Sequence, residues 1–442
     1  MHLRVLIRFL TGSFIVLVCC SQFGDGQDRS GQAARNKETL QYVVYLSRHG
    51  VRSPTKEPSD YNPYSTTPWP EWDVAPGYLT PHGFTLMKLF GTYDRAELAA
   101  KGLLSPYGCT DAARITILAD SDQRTRETGK AIAEGMFPGC NVEVHALPEG
   151  THDPLFHAGR AESGNVESGL AVAAIAGRIG GDPNNLTEAY RSQLSALDHI
   201  LAGCGKVSAA GHKRMSLFDI EASLGTGKGE HSFQLRGPLS TSSSLSENLL
   251  LEYAEGFTGK NLGWGCLDEN ALREVMELHT AGAEFDERTP VIASMYASNL
   301  LDHILKSLEQ SAAGKPIAGA LGAPGDRVLF LSGHDTNIAT VAGSLGLDWI
   351  IDGRRDDTPP GGALVFELWR SASGDYRVRV FYTAQSLDQM RTEQPLSLEQ
   401  PPLRALLFVP RCSGADMSCG LAGFASAVKE AINPAFVSQS AN

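Results

Sequence analysis

The chain leaves an apolar run, Tyr42-Val43-Val44-Tyr45-Leu46, and enters Arg48-His49-Gly50-Val51-Arg52-Ser53-Pro54-Thr55. The β-branched and aromatic content of the run predicts a buried strand. Two arginines then flank one histidine where this strand ends, and guanidinium groups form paired hydrogen bonds to phosphate oxygens. His49 would lie against the phosphorus, and Gly50 would let the backbone approach a ligand. On its own, Arg-His-Gly is equally compatible with a chance tripeptide in a basic turn.

A second strand end carries another arginine. Residues Ile115–Ala119 predict a strand, Asp120-Ser121-Asp122 a turn with capping residues, and Thr125–Met136 a helix. Arg124 lies at this junction, where a positive charge opposes the helix dipole. An ordinary solvated arginine is the alternative, but the unfavourable position favours a specific role.

A third strand end carries a histidine and a carboxylate. The continuous apolar run Val328–Leu331 is typical of a strand buried on both faces, and His334 and Asp335 follow it. Ligands of open α/β sheets bind beyond the carboxyl ends of the strands. We therefore expect these side chains to meet His49 and Arg124 at one edge of a sheet.

The middle of the chain has a different pattern. Strand patterns nearly vanish over residues 151–322, where apolar residues recur with helical spacing. Beyond Ile351 strand patterns return, with a predicted hairpin over residues 363–383. We predict an α/β domain formed by residues 38–150 and 323–442, with a mostly helical domain inserted at 151–322.

The first residues predict export. A basic start, the apolar stretch Phe9–Val18 and small residues after it are typical of a secretory signal peptide over residues 1–21, followed by a flexible lead-in over 22–37. An amphipathic first helix is the alternative to a signal. Lipid attachment at Cys19 or Cys20 is a further alternative, although the residues before them fit a lipid-attachment motif poorly. We expect a periplasmic or secreted protein.

Composition limits the possible partners. The net charge of −12 argues against nucleic acid, although a local basic pocket can still bind a small anion. No apolar stretch after the N-terminus predicts a membrane span. Export would leave an even number of cysteines, as a disulfide framework requires, and neither Cys-x-x-Cys nor a Cys/His cluster predicts zinc. The remaining cysteines are Cys109, Cys140, Cys204, Cys266, Cys412 and Cys419.

The motif at residues 48–55, together with His334-Asp335-Thr336-Asn337, resembles the histidine acid phosphatases, and among them the bacterial periplasmic phytases. The resemblance covers nearly everything after residue 40 and is weakest around residues 155–240. It implies a phosphoglycerate-mutase-like α/β domain with an inserted, mostly helical domain. The further matching stretches are Leu79-Thr80-Pro81, Asp122-Gln123-Arg124-Thr125-Arg126, Glu287-Arg288-Thr289-Pro290 and Thr358-Pro359-Pro360-Gly361-Gly362.

The resemblance also implies a two-step reaction. His49 would attack phosphorus and carry a phosphohistidine that water hydrolyses, and Asp335 would protonate the leaving alcohol. Neutral imidazole is a competent nucleophile, and arginines can neutralise a phosphoryl group without a metal ion. We therefore expect no cofactor and no metal. The residues implied to hold the phosphate are Arg48, Arg52, Arg124 and His334.

Four residues are implied to bind the rest of the substrate. Lys56 and Arg288 match family positions that touch a highly phosphorylated substrate, and Thr55 and Thr336 belong to the matching motifs. Solvated surface charge, the usual state of Lys and Arg, is the alternative for the two cations.

The resemblance bears on the disulfides as well. Related phytases join the helical domain to the C-terminus by a disulfide, for which this chain has no cysteines at the matching positions. Two family pairs are matched, by Cys109–Cys140 and Cys412–Cys419. Cys204 matches half of a third pair and Cys266 matches none, so we expect these two to pair with each other.

These observations predict a secreted, metal-independent phosphomonoesterase that hydrolyses phytate. We expect it to bind neither nucleic acid nor, after signal removal, a membrane, and to act as a monomer. The alternatives are a broad acid phosphatase or a sugar phosphatase such as a glucose-1-phosphatase. A phosphoglycerate-mutase-like enzyme shares Arg-His-Gly, but export and the His-Asp motif argue against it. A non-catalytic binder of anionic phosphates would be expected to lack His49 or Asp335, and both are present.

Overall fold

The computed structural model describes residues 38–157, 165–205, 214–227 and 233–438. The predicted signal peptide over residues 1–21 and the lead-in over 22–37 lie outside the described residues. From Glu38 onward the chain forms one unit.

The sheet is mixed and has eight strands. The strands, numbered along the chain, are β1 (Thr39–Arg48), β2 (Ile115–Ala119), β3 (Val144–His145), β4 (Ser223–Thr226), β5 (Phe233–Arg236), β6 (Val328–Gly333), β7 (Ile350–Ile351), β8 (Arg354–Arg355), β9 (Ala363–Arg370), β10 (Tyr376–Ala384), β11 (Leu403–Leu407) and β12 (Cys419–Gly420). The order in the sheet is β11-β10-β9-β1-β6-β2-β3, and β12 pairs with β10. Two small hairpins, β4–β5 and β7–β8, lie outside it.

Helices connect and cover these strands. They are α1 (Pro58–Tyr61), α2 (Pro81–Ala100), α3 (Gln123–Met136), α4 (Asn165–Arg178), α5 (Asn184–Ala189), α6 (Arg191–Leu201), α7 (Pro238–Ala254), α8 (Glu269–Asp286), α9 (Pro290–Ala313), α10 (Asp335–Leu345), α11 (Leu387–Arg391) and α12 (Leu421–Ala431). Their ends follow local chemistry. Thr80, for example, caps α2 by accepting a hydrogen bond from the Gly83 amide, and α9 ends at Gly314 in the left-handed conformation. The predicted α/β class is confirmed.

The position of β1 in the sheet creates the candidate site. β1 pairs in parallel with β6, and β6 pairs in parallel with β2. The register places Arg48 of β1 beside Gly333 of β6, and Ala119 of β2 beside Ser332 of β6. Since the three strands run in the same direction, the loops that follow them meet at one edge of the sheet.

The two faces of β1 are buried against different helices. Val43 and Tyr45 pack with α2 and α3, whereas Val44 and Leu46 pack with α9, α10 and α12. This alternation is the two-residue period of a strand, and burial of both faces explains the continuous apolar run.

The helical part of the chain has a hydrophobic cluster of its own. Leu194 of α6, Leu249 of α7 and Leu272 of α8 are fully buried in it. Helix α9 contributes to two clusters, because Ile292 near its start belongs to this one, whereas Leu301 and Ile304 farther along pack with the strands of the sheet. The domain division at residues 151 and 322 stays a prediction.

Gly50 has a packing role that the sequence did not indicate. A Cβ atom at this position would lie 2.8 Å from the Gly83 carbonyl oxygen and 2.8 Å from the Met87 side chain, both in α2. The Gly50 amide also donates a hydrogen bond to the Thr128 hydroxyl, 3.0 Å away. Glycine therefore lets the loop after β1 lie directly on α2.

The cysteines form three disulfides. Cys109 is joined to Cys140, Cys204 to Cys266 and Cys412 to Cys419, with Cα separations of 5.5, 6.1 and 5.2 Å. These are the pairs expected above. Within the described residues, no helix is both long and apolar enough to span a bilayer.

Candidate active site

Two histidines meet at the sheet edge formed by β1, β2 and β6. The rings of His49 and His334 have centroids 5.7 Å apart and lie edge to face. Backbone hydrogen bonds hold the loop in place, because the His49 amide donates to the Gly333 carbonyl and the Gly361 amide donates to the His49 carbonyl, each at 2.9 Å. The position of His49 is thus set by strand pairing.

The environment of His49 suits a nucleophile. Its Nδ1 lies 2.9 Å from the Gly50 carbonyl oxygen, which can only accept a hydrogen bond, so Nδ1 carries the proton. Nε2 is then left with a free lone pair. Burial, and then the positive charges of the surrounding arginines, hold the pKa of His49 well below its ordinary value. The ring is neutral and can attack through Nε2.

Arg48 and Arg52 converge on a single carboxylate. Arg48 is fully buried and donates to the Thr358 carbonyl at 2.6 Å, and its Nη2 contacts both Glu247 and, at 3.0 Å, Asp335. Arg52 reaches the same Glu247 oxygen at 3.0 Å. Glu247 therefore holds the two guanidinium groups side by side.

The arginines retain unused donors. The Nε atoms of Arg48, Arg52 and Arg124 are buried and have no hydrogen-bond partner among the described residues. Leaving a buried donor unsatisfied is costly. A phosphate supplies several acceptor oxygens, so an anionic group in this cluster can satisfy donors that the protein leaves open.

Arg124 and Asp120 orient His334 from opposite sides. His334 Nε2 lies 2.6 Å from Asp120 Oδ2, and its Nδ1 lies 3.4 Å from Arg124 Nη2. Nε2 therefore donates to the carboxylate while Nδ1 accepts. Burial lowers the pKa of His334, which favours the neutral ring.

Asp335 lies at the amino end of α10, against Arg48. Its Oδ2 is 3.0 Å from Arg48 Nη2, and its Oδ1 accepts the Thr336 amide at 2.9 Å. Burial alone would raise the pKa of Asp335, but the positive charge of Arg48 and its neighbours lowers it on balance. The free site thus holds Asp335 as a carboxylate.

Other acids surround this carboxylate. Burial, and then the charge of Asp335, raises the pKa of Glu287 well above its ordinary value, so Glu287 is protonated. Burial alone would raise the pKa of Glu247, but the two arginines beside it lower it on balance. Protonated and ionised carboxyl groups therefore coexist next to Arg48.

The four predicted substrate contacts have different surroundings. Thr55 and Lys56 are exposed on the loop after β1, and Thr336 is exposed at the start of α10. Gly77 lies between Thr55 and Arg124, because a Cβ atom at this glycine would be 3.8 Å from Thr55 Cγ2 and 3.6 Å from Arg124 Nη1. The loop after β1 therefore borders the arginine cluster.

Arg288 is not among the side chains gathered there. Its guanidinium donates at 2.6 Å to the Leu347 carbonyl and at 2.7 Å to Asp348, and its Nε contacts Glu284 at 3.1 Å. It also lies over the Trp349 ring, 5.5 Å from the centroid. These contacts between α8 and the segment after α10 describe a buried structural arginine.

Several residues of this cluster were not predicted from the sequence. Asp120 was assigned only to a turn, and Glu247 was included in a helix-period stretch without a role. Glu247 lies in α7 between the buried apolar residues Leu245 and Leu249, and an acidic residue beside such apolar positions is a signal that could have singled out Glu247. Nothing local marks His157, whose Nε2 lies 2.8 Å from Asp120 Oδ2.

Two clusters in the described part of the chain have the donor types and separations of a metal site. The first is Asp120 with His157 and His334, and the second is Glu247 with His279 and Asp335, with ligand atoms within 4.8 Å of one another in each. The second cluster includes carboxylates already paired with Arg48 and Arg52.

Known proteins resemble this chain along most of its length. The family model described as histidine phosphatase superfamily, branch 2, matches residues 39–383. The phytase AppA of Escherichia coli strain K12 is 36% identical over 90% of this chain and 93% of its own length. A glucose-1-phosphatase of Salmonella typhimurium strain LT2 is 29% identical over 84% of this chain and 87% of its own length.

A solved structure agrees with these relatives. The Hafnia alvei phytase in complex with myo-inositol hexakis sulphate superimposes with a TM-score of 0.80 and 33% identity, covering 91% of this chain and 99% of that one. Similarity therefore extends from the short motifs to the whole fold.

Proposed function

This chain belongs to branch 2 of the histidine phosphatase superfamily and is a histidine acid phosphatase, and from that premise we propose that it hydrolyses phytate through a phosphohistidine on His49. The observation that carries the proposal is the neutral His49 ring, with Nε2 unprotonated, placed among arginines that keep unsatisfied donors. That arrangement suits attack on an anionic phosphate.

In the first step, His49 Nε2 forms a bond to phosphorus while the bond from phosphorus to the alcohol oxygen breaks. Arg48, Arg52 and Arg124 balance the charge on the three remaining oxygens. The alcohol oxygen takes a proton from Asp335, while the Nε2–H of His334 stays on Asp120, so His334 transfers no proton and supports Arg124 through its Nδ1. The products are phosphohistidine and the free alcohol.

In the second step, water attacks phosphorus and passes its proton to Asp335, and the bond to His49 breaks. Asp335 must be protonated at the start of the cycle, although Arg48 lowers its pKa in the free site. A bound phosphate brings negative charge to Arg48 and weakens that effect, so substrate itself raises the pKa of Asp335. The reaction then runs best in acid.

Phytate is favoured as the substrate by two observations. The relatives named phytase match over nine tenths of the chain, and one of them was solved with myo-inositol hexakis sulphate. Thr55 and Lys56 also present polar groups on the rim beside the arginine cluster. A substrate with many phosphates gains from such contacts beyond the reacting group.

A glucose-1-phosphatase-like activity is the second candidate, because a protein of that name is also similar over most of the chain. Relative kcat/KM on phytate and glucose 1-phosphate separates the two. We further propose that the protein is exported and monomeric, and the three disulfides favour an oxidising compartment.

The decisive experiment combines trapping with mutation. Rapid quench during phytate turnover should leave acid-labile phosphate on His49, and His49→Ala should lose turnover with an unchanged melting temperature. A chelator should leave the rate on a simple monoester unchanged. Label on His334, or turnover retained in His49→Ala, would refute the mechanism.

A further inference from the structure

Asp120 is shared by two histidines. Its Oδ2 lies 2.8 Å from His157 Nε2 and 2.6 Å from His334 Nε2. The rings of the two histidines are 5.4 Å apart between centroids. Asp120 and His334 belong to the sheet edge described above, whereas His157 comes from the segment after β3 and has no part in the proposed reaction.

The other oxygen of this carboxylate is unsatisfied. Asp120 has no exposed surface, and its Oδ1 has no hydrogen-bond partner among the described residues. An ionised oxygen in that state is costly unless a cation or a donor is nearby. Burial alone would raise the pKa of Asp120, but hydrogen bonds from the two histidines lower it on balance, so the carboxylate is ionised.

The donor set has the chemistry of a transition-metal site. Two imidazole nitrogens and one carboxylate, leaving a further position open, are a recurrent ligand set for Zn²⁺. All three ligand atoms lie within 4.8 Å of one another, so a metal ion among them requires only small side-chain shifts. A second carboxylate, Asp122, lies 3.8 Å from His334 Nε2 and adds negative charge.

We propose that Asp120, His157 and His334 form an inhibitory binding site for a divalent transition metal ion, represented by Zn²⁺. Binding replaces the two N–H···O hydrogen bonds to Asp120 by metal–ligand bonds. His334 then moves its proton from Nε2 to Nδ1, and His157 gives up the proton on its Nε2, so that each coordinating nitrogen offers a lone pair and no electron transfer is involved.

The proton shift explains inhibition. In the metal-free site His334 Nδ1 accepts from Arg124 Nη2 at 3.4 Å. With the proton on Nδ1, two donors face each other, and Arg124 must turn away from the position in which it holds phosphate. This inhibitory part rests on the proposed function, whereas metal binding itself does not.

The test uses the full-length mature enzyme in phosphate-free buffer. Calorimetric titration with Zn²⁺ should give one site per chain, and His157→Asn should weaken its dissociation constant at least about tenfold, the loss expected when a ligand or its support is removed. His145→Asn is the matched control, since His145 is an exposed histidine on the neighbouring β3. It should bind Zn²⁺ like the unaltered enzyme.

Inhibition is measured on para-nitrophenyl phosphate, because phytate itself chelates metal ions. The Zn²⁺ concentration for half inhibition should rise at least about tenfold in His157→Asn, relative to that variant's own metal-free rate. If His157→Asn fails to fold, His157→Gln is used in its place, with its fold checked by its melting temperature. Equal zinc binding in the altered and unaltered enzymes overturns the site. Binding that depends on His157 without inhibition overturns the inhibitory role alone, and neither result depends on phytate being the substrate.

Discussion

The proposed chemistry depends on the protonation of His49 and Asp335, which the same arginines influence. Burial, and then the positive charge of the arginines, lowers the pKa of His49 and keeps it neutral, as a nucleophile requires. The charge of Arg48 also lowers the pKa of Asp335 and keeps it ionised in the free site, which opposes its role as an acid. The two demands are compatible only if bound phosphate offsets the charge of Arg48. The rate of the first step should therefore depend strongly on how much the leaving alcohol needs protonation.

Asp335→Asn keeps the shape of the side chain but cannot donate a proton. We expect the rate on phytate to fall by about 10²–10⁴-fold, the usual contribution of a positioned acid. An activated aryl phosphate needs little protonation and should lose far less. Steady-state kinetics on both substrates provide the measurement, and equal losses would argue against this assignment.

Lys56 and Arg288 have different surroundings, so their substitution should have different effects. Lys56→Ala removes an exposed cation beside the site, worth about 1 kcal/mol, so KM for phytate should rise several-fold while a small monoester is unaffected. The exposed Lys315→Ala, beyond the end of α9, is the control and should change neither value.

Arg288→Ala should act on stability instead. It removes the partner of Asp348 and Glu284 and leaves the Leu347 carbonyl without its donor. Since Asp348 and Glu284 reach solvent, the main loss is the unsatisfied Leu347 carbonyl and the lost packing, which should cost about 1–3 kcal/mol. Denaturant unfolding should register this loss, and an unchanged unfolding midpoint with a raised KM for phytate would restore the original assignment.

Helix α7 contains a buried acidic residue, Glu252, whose effect on the free energy of unfolding depends on pH. Glu252 is buried and accepts the Gly263 amide at 3.0 Å, and burial raises its pKa to about 8. Between its unfolded pKa of about 4.3 and this value, the folded state binds the extra proton. Stability therefore falls as pH rises, by up to about 1.4 kcal/mol per pH unit from this group.

Glu252→Gln should remove this dependence, because the amide keeps an acceptor for Gly263 and does not titrate. Urea unfolding at pH 5 and pH 7 should show a smaller loss of stability in the variant than in the unaltered protein. The exposed Glu274→Gln in α8 is the control. Identical pH dependence in both variants would contradict the role of Glu252.

The disulfides act on the molecule as a whole. Cys204–Cys266 closes a loop with a sequence separation of 62, against 7 for Cys412–Cys419. In the chain-entropy model these contribute about 4 and about 2 kcal/mol. Replacing both cysteines of a pair with serine should lower the free energy of unfolding in that order. Non-reducing peptide mapping checks the pairing, and free thiols at Cys204 and Cys266 in oxidised protein would refute that pair.

The charged residues that follow the strands could be predicted from the sequence because the pattern that marks a strand end is local. A strand buried on both faces requires a continuous apolar run, and the loop after it must leave at the carboxyl edge. The sequence therefore predicts that the motifs at residues 48–55 and 334–337, and Arg124 between them, lie together. The family resemblance followed from the same residues and predicted the α/β fold, which the structure confirms.

The sequence does not show which way side chains on distant elements point. Glu247 reaches Arg48 from α7, and Arg288 turns toward Asp348, because helix packing sets where each side chain points. Neither contact leaves a periodic pattern in the sequence. Residues and strand order thus predict the proposed phosphate site, whereas the acids that surround it, and His157 beside Asp120, depend on packing between segments far apart in the chain.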